Sequence, residues 1–287
     1  MNFRSILNCA VASTAFIAHA ALAQAPDSIR SLTAQPQQFL PTAAHPWDGK
    51  EWLDRFYAPR GYQTVWTHRQ AEAALALLED AGSEGLDPAD YNVDGLRDEL
   101  HGPDAGRARF DVALTAAMLH YLADLRLGRV RSEYHTAGAD PRLGKFDPVA
   151  LLRGALADGR LRAAVESAEP PIPLYRRMRD TLARYRTMEG QDEPVLVAPA
   201  AKVQPRGSYA GVAALRERLV QVGDMEQGAP HPRGHVYDDT LAAAVKRFQS
   251  RHGLEEDGVL GRDTVAALNV PLAQRVRQLE LTLERLR

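Results

Sequence analysis

Histidine and acidic side chains in the first half of the chain are the first candidates for chemistry. His120 and Asp124 stand four residues apart, and Glu133 and His135 follow closely. These residue types bind divalent metals, but their spacing here matches no standard metal signature. A pair at i and i+4 is explained more simply as two neighbours on one helical face. The sequence therefore predicts no metal site and no cofactor.

One glutamate has a sequence context that suggests acid catalysis. Glu166-Ser167 resembles the catalytic glutamate of lytic transglycosylases. A general acid needs a raised pKa, which requires burial, but Glu166 lies at a predicted helix end just before Pro170 and lacks that family's aromatic partner. We expect a solvated carboxylate there. No HExxH, GxSxG, SxxK or P-loop pattern occurs in the chain.

The only cysteine, Cys9, falls within an N-terminal stretch that is typical of a cleavable export signal. A basic start at Arg4 is followed by an apolar run too short to span a bilayer well, and by the small-x-small sequence Ala21-Leu22-Ala23. The sequence predicts a signal peptide over residues 1–23, with an N-terminal membrane anchor as the alternative. After cleavage the chain contains no thiol, so thiolate chemistry and disulfides are excluded.

A different set of residues near the C-terminus is suited to binding. Arginine offers a fork of donors that matches carboxylates, and an aromatic or amide side chain can complete a groove wall. Each residue has an alternative interpretation as a solvated helix-face residue, and Phe248 is assigned to the core. The candidate ligand-binding residues are Tyr237, Gln249, Arg251, Asp257 and Arg262.

Three short helices are predicted to position these residues. Leu241, Val245 and Phe248 share one face of a helix that Asp238 or Asp239 can cap. Gly253 can end it in a left-handed conformation, and Asp257-Gly258 marks a tight turn. With a helix over 212–222 before it and one over 262–268 after it, these elements predict a small three-helix bundle at 209–270.

The rest of the chain also reads as helical, so an all-α fold is predicted. Residues 24–46 are a flexible lead-in, 47–189 a helical domain and 190–208 a linker in which 194–197 could form a short strand. The longest helix, about 107–127, carries one apolar stripe. Apolar content of 45% and a net charge of −2 are ordinary for a globular protein. Because of this charge and the export signal, we disfavour a DNA-binding interpretation of Lys246 and Arg247.

The C-terminal residues resemble those of the type 1 peptidoglycan-binding domain. The resemblance implies that the bundle binds peptidoglycan through its sugars, its amides or the carboxylates of its stem peptides. The loop 223–236 is longer and richer in Gly, Pro and His than the family's pattern. The matching residues, in order, are Leu215, Leu219, Tyr237, Asp238, Thr240, Ala244, Val245, Phe248, Gln249, Gly253, Leu254, Asp257, Gly258, Gly261, Thr264, Ala267 and Leu268.

The preceding domain and the tail resemble large periplasmic L,D-transpeptidases. The motifs are Arg60-Gly61-Tyr62, Glu84-Gly85-Leu86-Asp87-Pro88, Gly128-Arg129-Val130 and Leu268-Asn269-Val270-Pro271. In that family a cysteine thiolate, assisted by a histidine, attacks a stem-peptide carbonyl, and a second amine resolves the acyl-enzyme. The resemblance places that machinery in a domain after Pro271. This chain has no Ser-x-Gly-Cys motif.

The sequence thus predicts a periplasmic, non-catalytic wall-binding protein with a connector helix at 271–287 that looks truncated. Val276, Leu279 and Leu283 keep helical spacing to the end. This stripe either packs on the bundle or docks a catalytic domain. The expected partners are peptidoglycan and a cell-wall enzyme or separate catalytic domain. Neither nucleic acid nor, after signal cleavage, a membrane is expected as a partner.

Overall fold

The computed structural model describes residues 27–39, 49–102, 106–129, 146–229 and 234–287. Over these residues the chain forms α-helices and short 3-10 turns, with two isolated antiparallel bridges and no sheet. The predicted all-α fold is confirmed. The predicted signal peptide and most of the predicted lead-in lie outside the described residues.

The chain divides into two compact units. Unit 1 contains the described residues of Met1–Arg179 together with Leu281–Arg287, and unit 2 is Asp180–Glu280. We label the helices in chain order: α1 (27–33), α2 (Gly49–Tyr57), α3 (His68–Glu79), α4 (Val93–Leu100), α5 (Arg107–Leu127), α6 (Pro148–Asp158), α7 (Leu161–Ala168), α8 (Pro173–Arg186), α9 (Val212–Gln221), α10 (Asp239–Arg251), α11 (Arg262–Leu268) and α12 (Leu272–Leu286).

Helix α5 is the centre of unit 1. Every residue from Phe110 to Leu125 is buried, and α2, α3, α4, α6 and α7 all contact this helix. The predicted single apolar stripe is therefore too narrow a description. Helices on several sides cover α5, so polar residues between the apolar ones are buried as well.

Asp111 of α5 is one of these buried polar residues. Its carboxylate accepts hydrogen bonds from the Val65 and Trp66 amides at 2.9 and 3.0 Å and from the Tyr57 hydroxyl at 2.7 Å. Burial raises the pKa of Asp111, although these three donors oppose the shift. Because one carboxylate satisfies two backbone amides of the extended segment before α3, Asp111 fixes that segment to the core.

Asp124, one turn beyond His120 on α5, has no solvent exposure. It accepts a hydrogen bond from the Tyr91 hydroxyl at 2.9 Å, and His120 Nδ1 lies 3.8 Å from the same oxygen. Burial raises the pKa of Asp124 to about 7. The pair predicted on one helical face is thus a buried pair inside the scaffold of helices.

The last turn of α12 packs within unit 1. The Arg287 guanidinium donates to the Tyr175 hydroxyl at 3.0 Å and to the Glu284 carboxylate at 3.1 Å, and it also contacts the Glu84 carbonyl. Gly128 has φ +73° and leaves room for this turn, since a Cβ there would lie 3.0 Å from Glu284 Oε1. Leu283 beside them is fully buried. The end of the apolar stripe is therefore covered in unit 1.

Unit 2 contains the three short helices expected from the sequence, α9, α10 and α11. The Asp238 carboxylate accepts the Leu241 amide at 2.9 Å as the N-cap of α10, and Gly253 follows that helix with φ +67°. Both features agree with the sequence prediction. Arg218 of α9 is buried and donates to the carbonyls of Leu268 at 2.8 Å and Val270 at 2.6 Å, so it ties α9 to the end of α11.

The segment before the bundle, interpreted from sequence as a linker, makes ordered contacts in unit 2. Val203 and Leu260 exchange backbone hydrogen bonds of 3.1 and 3.0 Å as an isolated bridge. Residues 194–197 form no strand. The Asn269 side chain instead bonds the amide and carbonyl of Leu196 at 2.9 and 2.7 Å, taking the place of a neighbouring strand.

Candidate functional site

A surface groove of about 310 Å³ lies in unit 2, between the end of α10, the turn that follows and the start of α11. Residues 199–202 of the preceding segment form its other wall. Three of the five predicted binding residues line it, namely Gln249, Asp257 and Arg262. Its further lining residues are Pro199, Ala200, Ala201, Lys202, Leu254, Glu255, Val259, Gly261, Asp263 and Thr264.

Gln249 organises the floor of the groove. Its side-chain NH₂ donates to Asp257 Oδ1 at 2.9 Å and to the Val259 carbonyl and Thr264 hydroxyl at 3.2 Å. Its side-chain carbonyl accepts the Gly258 amide at 2.8 Å. The side chain is 2% exposed, so its polar atoms are used to hold the turn 257–261 in shape.

Tyr237, also predicted to bind, lies in the interior at 0% exposure. Its hydroxyl donates to the Gly258 carbonyl at 2.7 Å, and burial raises its pKa. Gly258 has φ +73°, and a Cβ at this position would lie 3.0 Å from Lys246 Cε. Tyr237 and Gln249 thus both hold the turn at Gly258 by hydrogen bonds. As a direct ligand contact it stays a prediction.

Arg251, another predicted binding residue, forms an ion pair with Asp224. Its guanidinium forks onto the buried Asp224 carboxylate, with Nε–Oδ1 at 2.9 Å, and Arg247 donates to the Asp224 carbonyl at 2.7 Å. These bonds fix the turn after α9 to α10. Arg251 is not among the residues that line the groove.

Charged side chains at the rim of the groove are exposed. Lys202, Glu255, Arg262 and Asp263 all reach solvent. In the described part of the chain these four form no ion pair. Arg262 was predicted, whereas Lys202 was missed because it lies in an Ala- and Pro-rich stretch with no helical periodicity. Lys202 lies at the groove because the neighbouring Val203 pairs with Leu260, a contact between distant positions that the sequence does not reveal.

Unit 1 offers less support for chemistry. Glu166 is exposed on α7, as expected for a solvated carboxylate. Within the described residues no group of three or more His, Cys, Asp or Glu is arranged to hold a metal. Glu133 and His135 lie outside those residues. No helix in the described part of the chain has the length and apolar character needed to cross a membrane.

Comparison with known families assigns both parts of the chain. Residues 51–182 match the model of a scaffold domain, and residues 208–268 match that of a peptidoglycan binding domain. Together the two matches are consistent with an L,D-transpeptidase-family protein. The resemblance stated from the sequence is confirmed for both regions. No curated protein matches the chain.

The groove belongs largely to the matched peptidoglycan-binding domain. Its floor and one wall, from Gln249 to Thr264, lie inside residues 208–268, while Lys202 and its neighbours precede the match. This domain supports a cell-wall-binding role and a cell-wall-associated location for the chain.

Proposed function

We propose that this L,D-transpeptidase-family chain is a periplasmic scaffold that binds peptidoglycan through the groove of unit 2. The observation that carries the proposal is a cavity bordered by charges that form no ion pair with any described residue. The cavity lies largely within a region that matches a peptidoglycan binding domain. Exposed, unpaired charges around a concave surface contribute little to stability and are available to a ligand.

In this proposal, residues 24–287 bind the wall and leave cross-linking to a separate catalytic domain. Thiolate attack requires a cysteine, and the only one, Cys9, belongs to the predicted signal peptide at 1–23. The catalytic domain would come from a longer product or from a separate wall enzyme that this scaffold recruits. The same signal peptide supports the periplasmic location.

Co-sedimentation of residues 24–287 with purified sacculi tests the proposal. Gly261→Trp should abolish most sedimentation by filling the groove. Gly261 lines the groove, and a Cβ there would meet only the Lys202 stem, at 3.8 Å, so the fold should tolerate the change. Gly228→Trp is the matched control, since a Cβ at Gly228 meets nothing within 4 Å and Gly228 does not line the groove.

The control should sediment as the unchanged chain does. Equal sedimentation of both tryptophan variants would contradict the placement of the site. Turnover of stem peptides by the purified chain would contradict the division between binding and catalysis.

A further inference from the structure

We propose that the groove takes the charged end of a stem peptide, with its terminal carboxylate and the free side-chain amine of its diamino residue, and not the glycan strand. This inference rests on the proposed function, because it names which part of peptidoglycan the same site binds. It is argued from the charges, the size and the lining of the groove.

Two cations line the groove. Lys202 is contributed by the segment before the bundle, and Arg262 is the first residue of α11. Both are exposed, and neither forms an ion pair within the described residues. An arginine fork is matched geometrically to a carboxylate, and a lysine adds a point charge. A ligand carboxylate would satisfy both.

The same groove also carries acids that can receive an amine. Glu255 and Asp263 are exposed and form no ion pair within the described part of the chain. Asp257 is fixed in place, since its Oδ1 accepts from Gln249 at 2.9 Å and from the Val259 amide at 2.8 Å. Its other oxygen, Oδ2, accepts no hydrogen bond from any described residue. Charges of both signs around one cavity fit a ligand that is itself zwitterionic.

Size and lining disfavour a glycan strand. A cavity of about 310 Å³ is at the small end of ligand sites, enough for one or two amino-acid residues. Its apolar surface comes from short or aliphatic side chains, Leu254 and Val259 among them. No aromatic residue lines it in the described part of the chain. A sugar ring therefore has no flat wall to pack against.

Calorimetric titration of residues 24–287 with defined probes tests the inference. The probes are a stem tetrapeptide whose N-terminus is acylated as in the wall (the free peptide), the same peptide with its side-chain amine acetylated, the same peptide with its terminal carboxylate amidated, and a peptide-free oligosaccharide of the glycan. The free peptide should bind, each blocked peptide at least about tenfold more weakly, and the oligosaccharide not measurably. Raising the salt concentration should weaken peptide binding, because exposed charges are screened.

Charge-removing variants assign the effect to the groove. Lys202→Ala combined with Arg262→Ala should weaken peptide binding at least about tenfold and make amidation of the carboxylate inconsequential. Arg277→Ala removes an exposed arginine of unit 2 that does not line the groove, and should bind as the unchanged chain does.

The failures are distinguishable. Binding of the oligosaccharide alone, peptide binding that survives the double variant, or sacculus binding without peptide binding would each overturn the inference while leaving wall binding intact. Loss of binding to every probe and to whole sacculi would overturn the proposed function itself.

Discussion

The two units of this chain place their polar side chains in opposite ways. In unit 1, Asp111 and Asp124 lie inside the core. The Asp111 carboxylate accepts hydrogen bonds from a tyrosine hydroxyl and backbone amides, and the Asp124 carboxylate accepts one from a tyrosine hydroxyl. In unit 2, Lys202 and Arg262 stand at the rim of a groove without an ion-pair partner among the described residues. Buried carboxylates thus stabilise unit 1, whereas the exposed charges at the groove of unit 2 are available to a ligand.

The physical reason for the contrast is desolvation. A buried polar group without a partner costs free energy, so the fold must supply one, and the group then serves stability. An exposed charge loses little by remaining unpaired, and its interaction energy stays available. Gln249 links the two cases, because it is buried and hydrogen-bonded, and the turn that it stabilises forms part of the groove.

The strongest test of this contrast is Asp111→Ala. The change leaves the amides of Val65 and Trp66 without their acceptor. The Tyr57 hydroxyl keeps the Asp111 backbone carbonyl at 2.9 Å and the Thr115 hydroxyl at 2.7 Å as partners. We expect the free energy of unfolding of unit 1 to fall by about 4 kcal/mol. Urea unfolding measures this, and Asp111→Asn, which keeps one acceptor, should lose less. Sacculus binding by the molecules that remain folded should not change; a change would break the contrast.

The second test uses pH. The carboxyl of Asp124 has a pKa of about 7 in the folded chain against an ordinary 3.8. Between these values the unfolded chain gives up the proton while the folded chain keeps it. The free energy of unfolding should therefore decrease as pH rises from about 4 to 7, by on the order of 4 kcal/mol, and level off above.

Thermal unfolding across that range, compared with Asp124→Asn, isolates the effect from other titrating groups. The asparagine can still accept from Tyr91 and has no charge to bury, so its slope with pH should be shallower. Parallel curves for the two chains would remove Asp124 as the cause. The charged and titratable groups around this carboxyl are Tyr91, His120, Arg129, Glu284 and Arg287.

Gln249→Ala sharpens the contrast from the other side. The loss of a buried side chain that bonds Asp257, Gly258, Val259 and Thr264 should reduce the stability of unit 2 by about 2 kcal/mol. Because the turn also forms the groove, peptidoglycan binding should fall in the same variant. Differential scanning calorimetry and sacculus sedimentation measure the two effects, and a stability loss without a binding loss would separate the turn from the site.

The smallest effect is expected at the start of α3. Thr67 accepts the Gln70 amide at 3.3 Å as part of a capping box. Thr67→Ala should cost about 1 kcal/mol of stability, as the loss of a helix cap usually does. Wall binding should be unaffected because the cap lies in unit 1. A chemical denaturation curve with a matched binding assay decides both points.

Local signals in the sequence predicted the bundle well. The apolar spacing of Leu241, Val245 and Phe248, the cap at Asp238 and the stop at Gly253 are all found as expected. These features depend on residues within a few positions of one another, which is the range over which helical periodicity and capping operate.

What sequence could not predict depends on contacts between distant positions. The Val203–Leu260 bridge brings Lys202 to the groove, and neither residue shows this in its own neighbourhood. Tyr237 and Gln249 look like surface groups by type, but they are buried because they bond the turn around Gly258. Likewise, α5 carries polar residues on faces that seemed solvated until helices packed on several sides.

Unit 1 is assembled from two separate stretches of chain, since the final turn of α12 is held there by Arg287 and Leu283. Residues 180–280 therefore leave unit 1 and return to it, and are tethered at both ends. A force that pulls on unit 2 would therefore reach unit 1 through two covalent connections. A single proteolytic cut within residues 180–280 would leave residues 281–287 packed in unit 1, so the two fragments would stay associated.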